Sequence, residues 1–365
     1  MKNRKKSSIA FIVIVVVLSY CCISFSTTTY AQSVSNDTRD NDGTNGAKKL
    51  KIVFMDLGVG QSSLVVLPNG KSIMIDGGEV GDAPEMLREI RQNGISKVDV
   101  IIPTHPHKDH YGGFIGVMQD IPVAEVLDSG QVDITSSVFT DFTAIVEEKK
   151  IPHKMIRQGD SIALDPDVKI EVLNPPPTLP EGYDNQTGFN NNSVVLKLSY
   201  GNFTILFPGD ILKNTEERLV NEYQKALDSD VLVGAHHGTE GANTPQFLSL
   251  VTPQAVIISP ERGLPANPAI DKFKAADVQY IFRTEIDGDV TLISDGTQKY
   301  TLQASRISQD VTLPEFGKSD DADGGTNTAV FATMVAATAI VVVIARAFHN
   351  SSRANINTRK PNLGR

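Results

Sequence analysis

Three of the seven histidines in this 365-residue chain lie within six consecutive positions. The segment is His105-Pro106-His107-Lys108-Asp109-His110, and it follows the apolar run Val98–Pro103, which reads as a buried strand. Two imidazoles separated by one residue at a strand end can face one cation. The carboxylate and third imidazole after them can face a second cation about 3.5–4 Å away. The segment therefore predicts a metal site.

Two later strand ends carry further candidate ligands. Asp210 follows an apolar strand that ends in Phe207-Pro208-Gly209, and His236 and His237 follow the buried strand Val231–Ala235. Five of the seven histidines thus lie at two strand ends. Histidines with a purely structural role in a protein core usually occur singly, so this grouping favours a functional site.

Cysteine content and charge restrict the chemistry of that site. The only cysteines, Cys21 and Cys22, lie inside an apolar N-terminal run, so a metal site in the folded part must be built from His, Asp and Glu. The formal net charge of −9 argues against a broad basic surface for nonspecific nucleic-acid binding. An anionic substrate must therefore be bound locally, by metal or by a few side chains.

The central part of the chain, residues 50–306, reads as one domain between a polar tether at 32–49 and a polar linker at 307–323. Its strand patterns fall into two halves, each of which opens with β-hairpins. This arrangement predicts an α/β fold of the four-layer αββα sandwich type rather than a single parallel sheet. The predicted early strands are 51–57, 63–67, 72–75 and 98–103, and the later ones are 161–164, 168–173, 193–200 and 202–207.

Local signals mark one turn and one helix. Asn69-Gly70 predicts the tight turn between the second and third strands. The helix that follows the third strand is predicted to have Asp82 as its cap, Glu85 at its third position and Gly94 just past its end.

Both ends of the chain read as membrane segments. Residues 1–31 have a basic start, a short apolar stretch and Ala31 at their end, which is typical of a secretory signal; an uncleaved anchor is the alternative. Residues 324–345 are uncharged and long enough to span a bilayer, and a basic tail follows at 346–365. The positive-inside tendency then predicts a cytoplasmic tail and a catalytic domain outside the cytoplasmic membrane.

The motif before the second apolar segment, Leu313-Pro314-Glu315-Phe316-Gly317, resembles the PEFG-type sorting tail of archaeal surface proteins. The resemblance implies a sortase-like processing enzyme as a partner.

Residues 51–304 resemble the metallo-β-lactamase domain of ComEC/Rec2-type competence proteins. The resemblance rests on motifs that occur in order along the whole domain. They are Asp56-Leu57-Gly58-Val59-Gly60-Gln61, Asp76-Gly77-Gly78, the histidine segment with Tyr111-Gly112-Gly113, Asn190-Asn191-Asn192-Ser193, Pro208-Gly209-Asp210, His236-His237-Gly238-Thr239, and Arg283-Thr284 through Ser294-Asp295-Gly296.

The resemblance implies a metallo-β-lactamase fold with two divalent metals, Zn²⁺ being favoured and Mn²⁺ the alternative. Asp109 and Asp210 would orient the attacking water, and His237 would contact the substrate. The implied roles are His105 and His107 as ligands of the first metal, Asp109 and His110 as ligands of the second, Asp210 as the bridging carboxylate, His236 (or alternatively His237) as a further ligand of the second, and Asp76 as structural support of the metal loop.

The chain departs from the family pattern at two places. Many members place a third histidine before the Gly-Asp hairpin, where this chain offers Asn190, Asn191 and Asn192. The first metal site is therefore predicted to lack an imidazole and to be weak, occupied by a harder ion such as Mn²⁺, or empty in isolation. Asn267 stands where the competence-type pattern tends to have a histidine. Asn191, Asn192 and Asn267 are the predicted substrate contacts.

The expected function is an extracytoplasmic metal-dependent hydrolase, with phosphodiesterase or nuclease activity on a small-molecule or nucleic-acid phosphoester favoured. Hydrolysis of a thioester, lactone or β-lactam is a second hypothesis, which the missing third histidine disfavours. A non-catalytic surface binding protein is a third hypothesis, in which the clustered histidines and carboxylates would have no role.

Overall fold

The structure is a computed structural model that describes residues 48–180, 183, 185–260 and 269–306. Strands and helices alternate along these residues. The strands are β1 (Leu50–Phe54), β2 (Ser62–Val66), β3 (Ser72–Gly77), β4 (Val100–Ile102), β5 (Val126–Asp128), β6 (His153–Met155), β7 (Val168–Asn174), β8 (Val195–Tyr200), β9 (Phe203–Phe207), β10 (Val231–Val233), β11 (Ala255–Ile258), β12 (Tyr280–Arg283), β13 (Val290–Ser294) and β14 (Tyr300–Ala304). The helices are α1 (Ala83–Gln92), α2 (Lys108–Asp120), α3 (Ser137–Glu148), α4 (Gln186–Asn191), α5 (Lys213–Tyr223), α6 (Pro245–Val251), α7 (Ile270–Ala275) and α8 (Thr284–Asp287).

The strands form an eight-stranded sheet in the order β14-β13-β1-β2-β3-β4-β5-β6 and a six-stranded sheet in the order β12-β11-β10-β9-β8-β7. Each sheet begins with antiparallel hairpins, β1–β2–β3 in one and β7–β8–β9 in the other. Each then continues with parallel strands, β3 to β6 and β9 to β12. The two halves predicted from the sequence thus become the two sheets, and β13 and β14 return to the first sheet beside β1.

Alternation along the strands separates three apolar clusters. Ile52 and Phe54 of β1 point into the cluster between the two sheets, whereas Val53 points to the outer face of its sheet. Helices α1, α2 and α3 cover the outer face of the first sheet, and α5, α6 and α7 cover that of the second. The order helix, sheet, sheet, helix confirms the predicted αββα sandwich.

Local details differ from the sequence prediction in three places. The predicted strand 161–164 is reduced to one bridge, between Ser161 and Glu171. The segment stays hydrogen-bonded to β7 at Asp160 and Ile162, and beyond it Asp165 Oδ2 accepts from the backbone N–H of Asn69 in the β2–β3 turn. β1 ends at Phe54 rather than at residue 57. Helix α1 begins after Asp82 as predicted, but the Asp82 carboxylate accepts from Glu79 N and does not cap the helix.

The predicted signal segment, tether, sorting motif, membrane helix and basic tail lie outside the described residues. Within the described ranges, none of the helices combines the length and the apolar character that a bilayer span needs.

Replacing Phe207 by Ala should lower the free energy of unfolding by about 3–5 kcal/mol, because a large buried side chain leaves a cavity. The Phe207 ring is 1% exposed and stacks on Phe54, with 6.3 Å between ring centroids. Denaturant unfolding followed by circular dichroism measures the loss. The control is Ile134→Ala at a side chain that is 86% exposed, where we expect a change within about 0.5 kcal/mol. Equal losses in the two variants would contradict the assigned core.

Candidate metal centre

The carboxyl ends of β4, β9 and β10 meet at one edge of the sandwich. The backbone N–H of Asp210, after β9, donates to Ser193 Oγ at 3.1 Å, and that of His236, after β10, donates to Gly209 O at 3.1 Å. Gly209 has a φ of 57°, and a Cβ there would lie 2.9 Å from the Ser193 Cβ and 3.1 Å from the Thr104 Cβ. Only glycine allows this close approach, which brings the loops from both sheets together.

Candidate ligand atoms converge in two clusters, one made of His105, His107 and Asp210 and the other of Asp109, His110 and His237. In the first, His105 Nε2 lies 2.8 Å from His107 Nδ1 and 3.6 Å from Asp210 Oδ2. In the second, His237 Nε2 lies 3.3 Å from Asp109 Oδ2.

Asp210 belongs to both clusters by distance. Its Oδ2 lies 3.3 Å from His110 Nε2 and 3.5 Å from His237 Nε2, besides its contact with His105. Its Oδ1 is buried and has no hydrogen-bond partner among the described residues. A divalent cation would supply that missing partner, and imidazole and carboxylate are ligands that Zn²⁺ and its neighbours accept. The donor set therefore fits divalent metals.

Burial and the neighbouring charges together shift the pKa of every member of the two clusters. Burial, with the nearby charge of His110, holds the pKa of His105 well below its ordinary value. Burial alone would raise the pKa of Asp210, but His110, His237 and His105 outweigh it and hold that pKa well below its ordinary value. Burial opposes the charged form of His237, yet Asp210 and Asp109 raise its pKa to about 10. The carboxylates are thus ionised and ready to bind a cation.

Asp76 supports the histidine segment from β3. Its side chain is fully buried, its backbone has a φ of 59°, and its Oδ1 accepts from the Thr104 N–H at 2.8 Å. Its Oδ2 lies 3.0 Å from His110 Nδ1. A carboxylate on one ring nitrogen fixes the tautomer that leaves the other nitrogen free for a metal. This contact points His110 Nε2 towards the second cluster.

The strand-end pair His236-His237 adopts a turn in which both residues, with φ of 48° and 53°, have left-handed backbone conformations. His237 is 3% exposed and lies in the second cluster. His236 lies outside it, because its Nδ1 is 2.6 Å from Thr239 Oγ1 and its Nε2 is 3.1 Å from Asn190 Nδ2. The sequence prediction named His236, or alternatively His237, as the ligand and the other histidine as a substrate contact; the geometry places His237 in the cluster and His236 at the wall of the cleft.

Two residues that the sequence analysis missed hold this turn in place. Asn243 is fully buried; its Oδ1 accepts from Ala235 N at 3.0 Å, and its Nδ2 donates to Ala235 O at 2.8 Å. Glu216 of α5 accepts from the backbone N–H groups of Asn243 and Thr244. The sequence gives no signal for these contacts, since Asn243-Thr244 reads only as the start of α6.

The clusters open into a cleft of about 760 Å³. Its walls include Lys108, Ser136 and Asn190. The predicted substrate contacts Asn191 and Asn192 are engaged elsewhere: Asn191 Oδ1 accepts from Leu212 N and Thr215 Oγ1, and Asn192 Nδ2 donates to Gly188 O. The third predicted contact, Asn267, lies outside the described residues.

The αββα sandwich, with His and Asp clusters at the edge where its two sheets meet, places this protein in a class of metal-dependent hydrolases. The chain belongs to the metallo-beta-lactamase superfamily, whose family pattern matches residues 56–262.

Among known proteins, the chain is similar to competence and recombination proteins of bacteria. It is 25% identical over 227 residues to ComE operon protein 3 of Bacillus subtilis (strain 168), covering 57% of this chain and 28% of that protein. It is 27% identical over 209 residues to Competence protein ComA of Neisseria gonorrhoeae, covering 57% of this chain and 26% of that protein. For Recombination protein 2 of Haemophilus influenzae the identity is 25% over 225 residues, covering 58% of this chain and 24% of that protein.

These matches confirm the predicted resemblance to ComEC/Rec2-type domains, and the chain spans about a quarter of the length of each relative. Among solved structures, the chain is similar to Igni18, a metallo hydrolase from the archaeon Ignicoccus hospitalis. The sequence identity is 16%, the TM-score is 0.42, and the match covers 67% of this chain and 98% of that one.

Replacing Asp76 by Asn should weaken metal binding at the second cluster by about 10–100-fold. Asparagine tolerates the left-handed backbone, but its amide N–H would face the N–H of His110. The proton would then move to the ring nitrogen that must bind the metal. Isothermal titration calorimetry with Zn²⁺ measures the affinity. The control is Asp165→Asn, another buried carboxylate that accepts two backbone N–H groups away from the clusters; equal weakening in both variants would contradict the assignment.

Metal binding should release protons at pH 7 and weaken as the pH falls. His237, whose pKa is raised to about 10 by Asp210 and Asp109, holds a proton at pH 7 in the metal-free protein. A metal can bind only the neutral imidazole, so it must displace that proton. Calorimetry in two buffers of different ionisation enthalpy counts the protons released. A metal affinity that does not change between about pH 6 and pH 8 would contradict this prediction.

Proposed function

We propose that the protein is a two-metal phosphodiesterase that acts outside the cytoplasmic membrane on a nucleic acid or another phosphoester. The observation that carries the proposal is the position of Asp210, whose Oδ2 lies within 3.6 Å of nitrogens from both clusters. A carboxylate shared between two cation sites is the arrangement used in hydrolysis of phosphate diesters.

The ligand assignment in this proposal follows the two clusters. When bound, the two cations lower the pKa of a water molecule towards neutrality and stabilise negative charge on a phosphoester oxygen. The carboxylates of Asp109 and Asp210 would orient the attacking water by accepting its hydrogen bonds. We assign His105 and His107 to the first cation, Asp109, His110 and His237 to the second, and Asp210 to both.

The lining of the cleft supports an anionic substrate. Lys108 is 67% exposed along its side chain and lies at the rim, where it also reaches Glu79 at 3.2 Å. A lysine at this position can bind a phosphate oxygen beside the metal centre. The relatives named for competence and recombination also favour a nucleic-acid substrate, because recombination is a reaction of nucleic acids.

The proposed location rests on the sequence. Basic residues precede the N-terminal apolar segment and follow the C-terminal one. This distribution favours two cytoplasmic chain ends and a domain between them outside the cytoplasmic membrane. We also propose that the helix predicted from the sequence at 324–345 holds the protein in the membrane, and that a sortase-like enzyme processes the Leu313–Gly317 motif.

The test combines metal analysis of the purified chain with cleavage of bis(p-nitrophenyl) phosphate and single-stranded DNA. We expect stoichiometric metal in the wild type. In His107→Ala/Asp109→Ala, metal content should fall and diester cleavage should drop by more than about 100-fold, because ligands are lost from both clusters. His153→Ala is the matched control, since this imidazole pairs with Asp128 and belongs to neither cluster.

The other outcomes separate the alternatives. Metal without diester cleavage would favour a thioester, lactone or β-lactam substrate. A wild-type chain that binds no metal after reconstitution with Zn²⁺ or Mn²⁺ would exclude the hydrolase and favour a surface binding protein.

A further inference from the structure

The amide of Asn190 is a buried polar group at the wall of the metal cleft. Asn190 lies in the last turn of α4, is 7% exposed, and lines the cleft together with His107 and Asp210. Its Oδ1 is buried and has no hydrogen-bond partner within the part of the chain that the structure describes. A buried carbonyl oxygen without a partner is costly, so this atom indicates a missing ligand.

The amide nitrogen of Asn190 determines the direction in which its oxygen points. Asn190 Nδ2 lies 3.1 Å from His236 Nε2, and His236 Nδ1 lies 2.6 Å from Thr239 Oγ1. An amide nitrogen can only donate, so His236 Nε2 accepts and the ring proton on Nδ1 is donated to Thr239. With Nδ2 held in this way, Oδ1 is the atom of Asn190 left for a cation.

Asn190 lies close to residues of the first cluster. Its neighbour Phe189 packs edge-on against the His107 ring, with 5.8 Å between ring centroids. Its partner His236 has Nε2 3.9 Å from Asp210 Oδ2. Asn190 is therefore close to two first-cluster residues, His107 and Asp210, which line the same cleft.

We propose that Asn190 Oδ1 is a further ligand of the cation held by His105, His107 and Asp210, and that His236 is the residue that orients it. This inference rests on the proposed two-metal function, because it requires a cation at the first cluster. It gives that site two nitrogen and two oxygen donors, one of the oxygens being a neutral amide.

The donor set has a consequence for metal preference. Amide and carboxylate oxygens suit harder ions such as Mn²⁺, whereas imidazole suits Zn²⁺. Both sites then have two imidazoles and two oxygen donors in reach, and the first differs from the second in that one of its oxygens belongs to a neutral amide. Replacing the amide by an imidazole should shift the first site towards Zn²⁺.

The test measures metal binding by the full-length chain, without substrate. Wild type, Asn190→Ala, Asn190→His and Asn192→Ala are stripped of metal and titrated with Mn²⁺ and with Zn²⁺, and bound Mn²⁺ is followed by electron paramagnetic resonance. Asn192→Ala is the matched control, because Asn192 is also a buried amide of this segment but donates to Gly188 O.

We expect two metal equivalents in wild type and in Asn192→Ala. In Asn190→Ala one of the two sites should bind Mn²⁺ about 10–100-fold more weakly, with the other unchanged. Asn190→His should recover Zn²⁺ binding at that site but not its Mn²⁺ affinity. His236→Leu should weaken the same site, since it removes the group that orients the amide.

Two results would overturn the inference in distinguishable ways. If Asn190→Ala binds both equivalents as tightly as wild type, Asn190 is not a metal ligand, while the proposed function stands. If the wild-type chain binds no cation at either cluster, the proposed function fails and the inference fails with it.

Discussion

The buried carboxylate of Asp210 is the group on which the arrangement of the site depends. It is 2% exposed, and imidazoles from two different strand ends surround it, His105 and His110 after β4 and His237 after β10. A carboxylate so far from water is tolerable only if positive charge compensates it. In the absence of metal that charge comes from protonated His110 and His237, whose pKa values are raised by the surrounding carboxylates. The same electrostatic demand makes this place suitable for a divalent cation.

The loops that surround Asp210 are held in backbone conformations that isolated residues avoid. Asp76, His236 and His237 all have positive φ without being glycine. Such residues persist where the surrounding contacts determine their position more strongly than the local preference does. For Asp76 these contacts are the Thr104 backbone and the His110 ring, and for the histidine pair they are the hydrogen bonds of Asn243 with Ala235. The rigid sandwich thus fixes ligand positions that the loops alone could not maintain.

Much of the fold and part of the site could be predicted from the sequence, because those parts depend on local pattern. The alternation in β1, the Asn69-Gly70 turn and the strand-end histidines are visible within a few residues. Whether His236 or His237 belongs to the metal cluster depends on two consecutive residues with left-handed backbone conformations, which no sequence pattern predicts. Asn190 rather than its neighbours lines the cleft because α4 directs the three amides differently. The contacts of Glu216 with Asn243 and Thr244 join residues 27 and 28 positions apart and have no local signature.

The charges of the proposed centre favour an anionic substrate over a neutral one. Two divalent cations bring four positive charges, whereas the carboxylates of the two clusters are Asp109 and Asp210 alone. Neutral imidazoles and the neutral amide of Asn190 add no negative charge. With a hydroxide bound, these ligands would leave an excess of positive charge, which the Asp76 carboxylate against His110 reduces. The site is partly buried, so electrostatic interactions there are stronger than in water. The proposed phosphodiester substrate would compensate that excess with the negative charge that it already carries in its ground state. A chain with a net charge of −9 can therefore attract an anion at this one place.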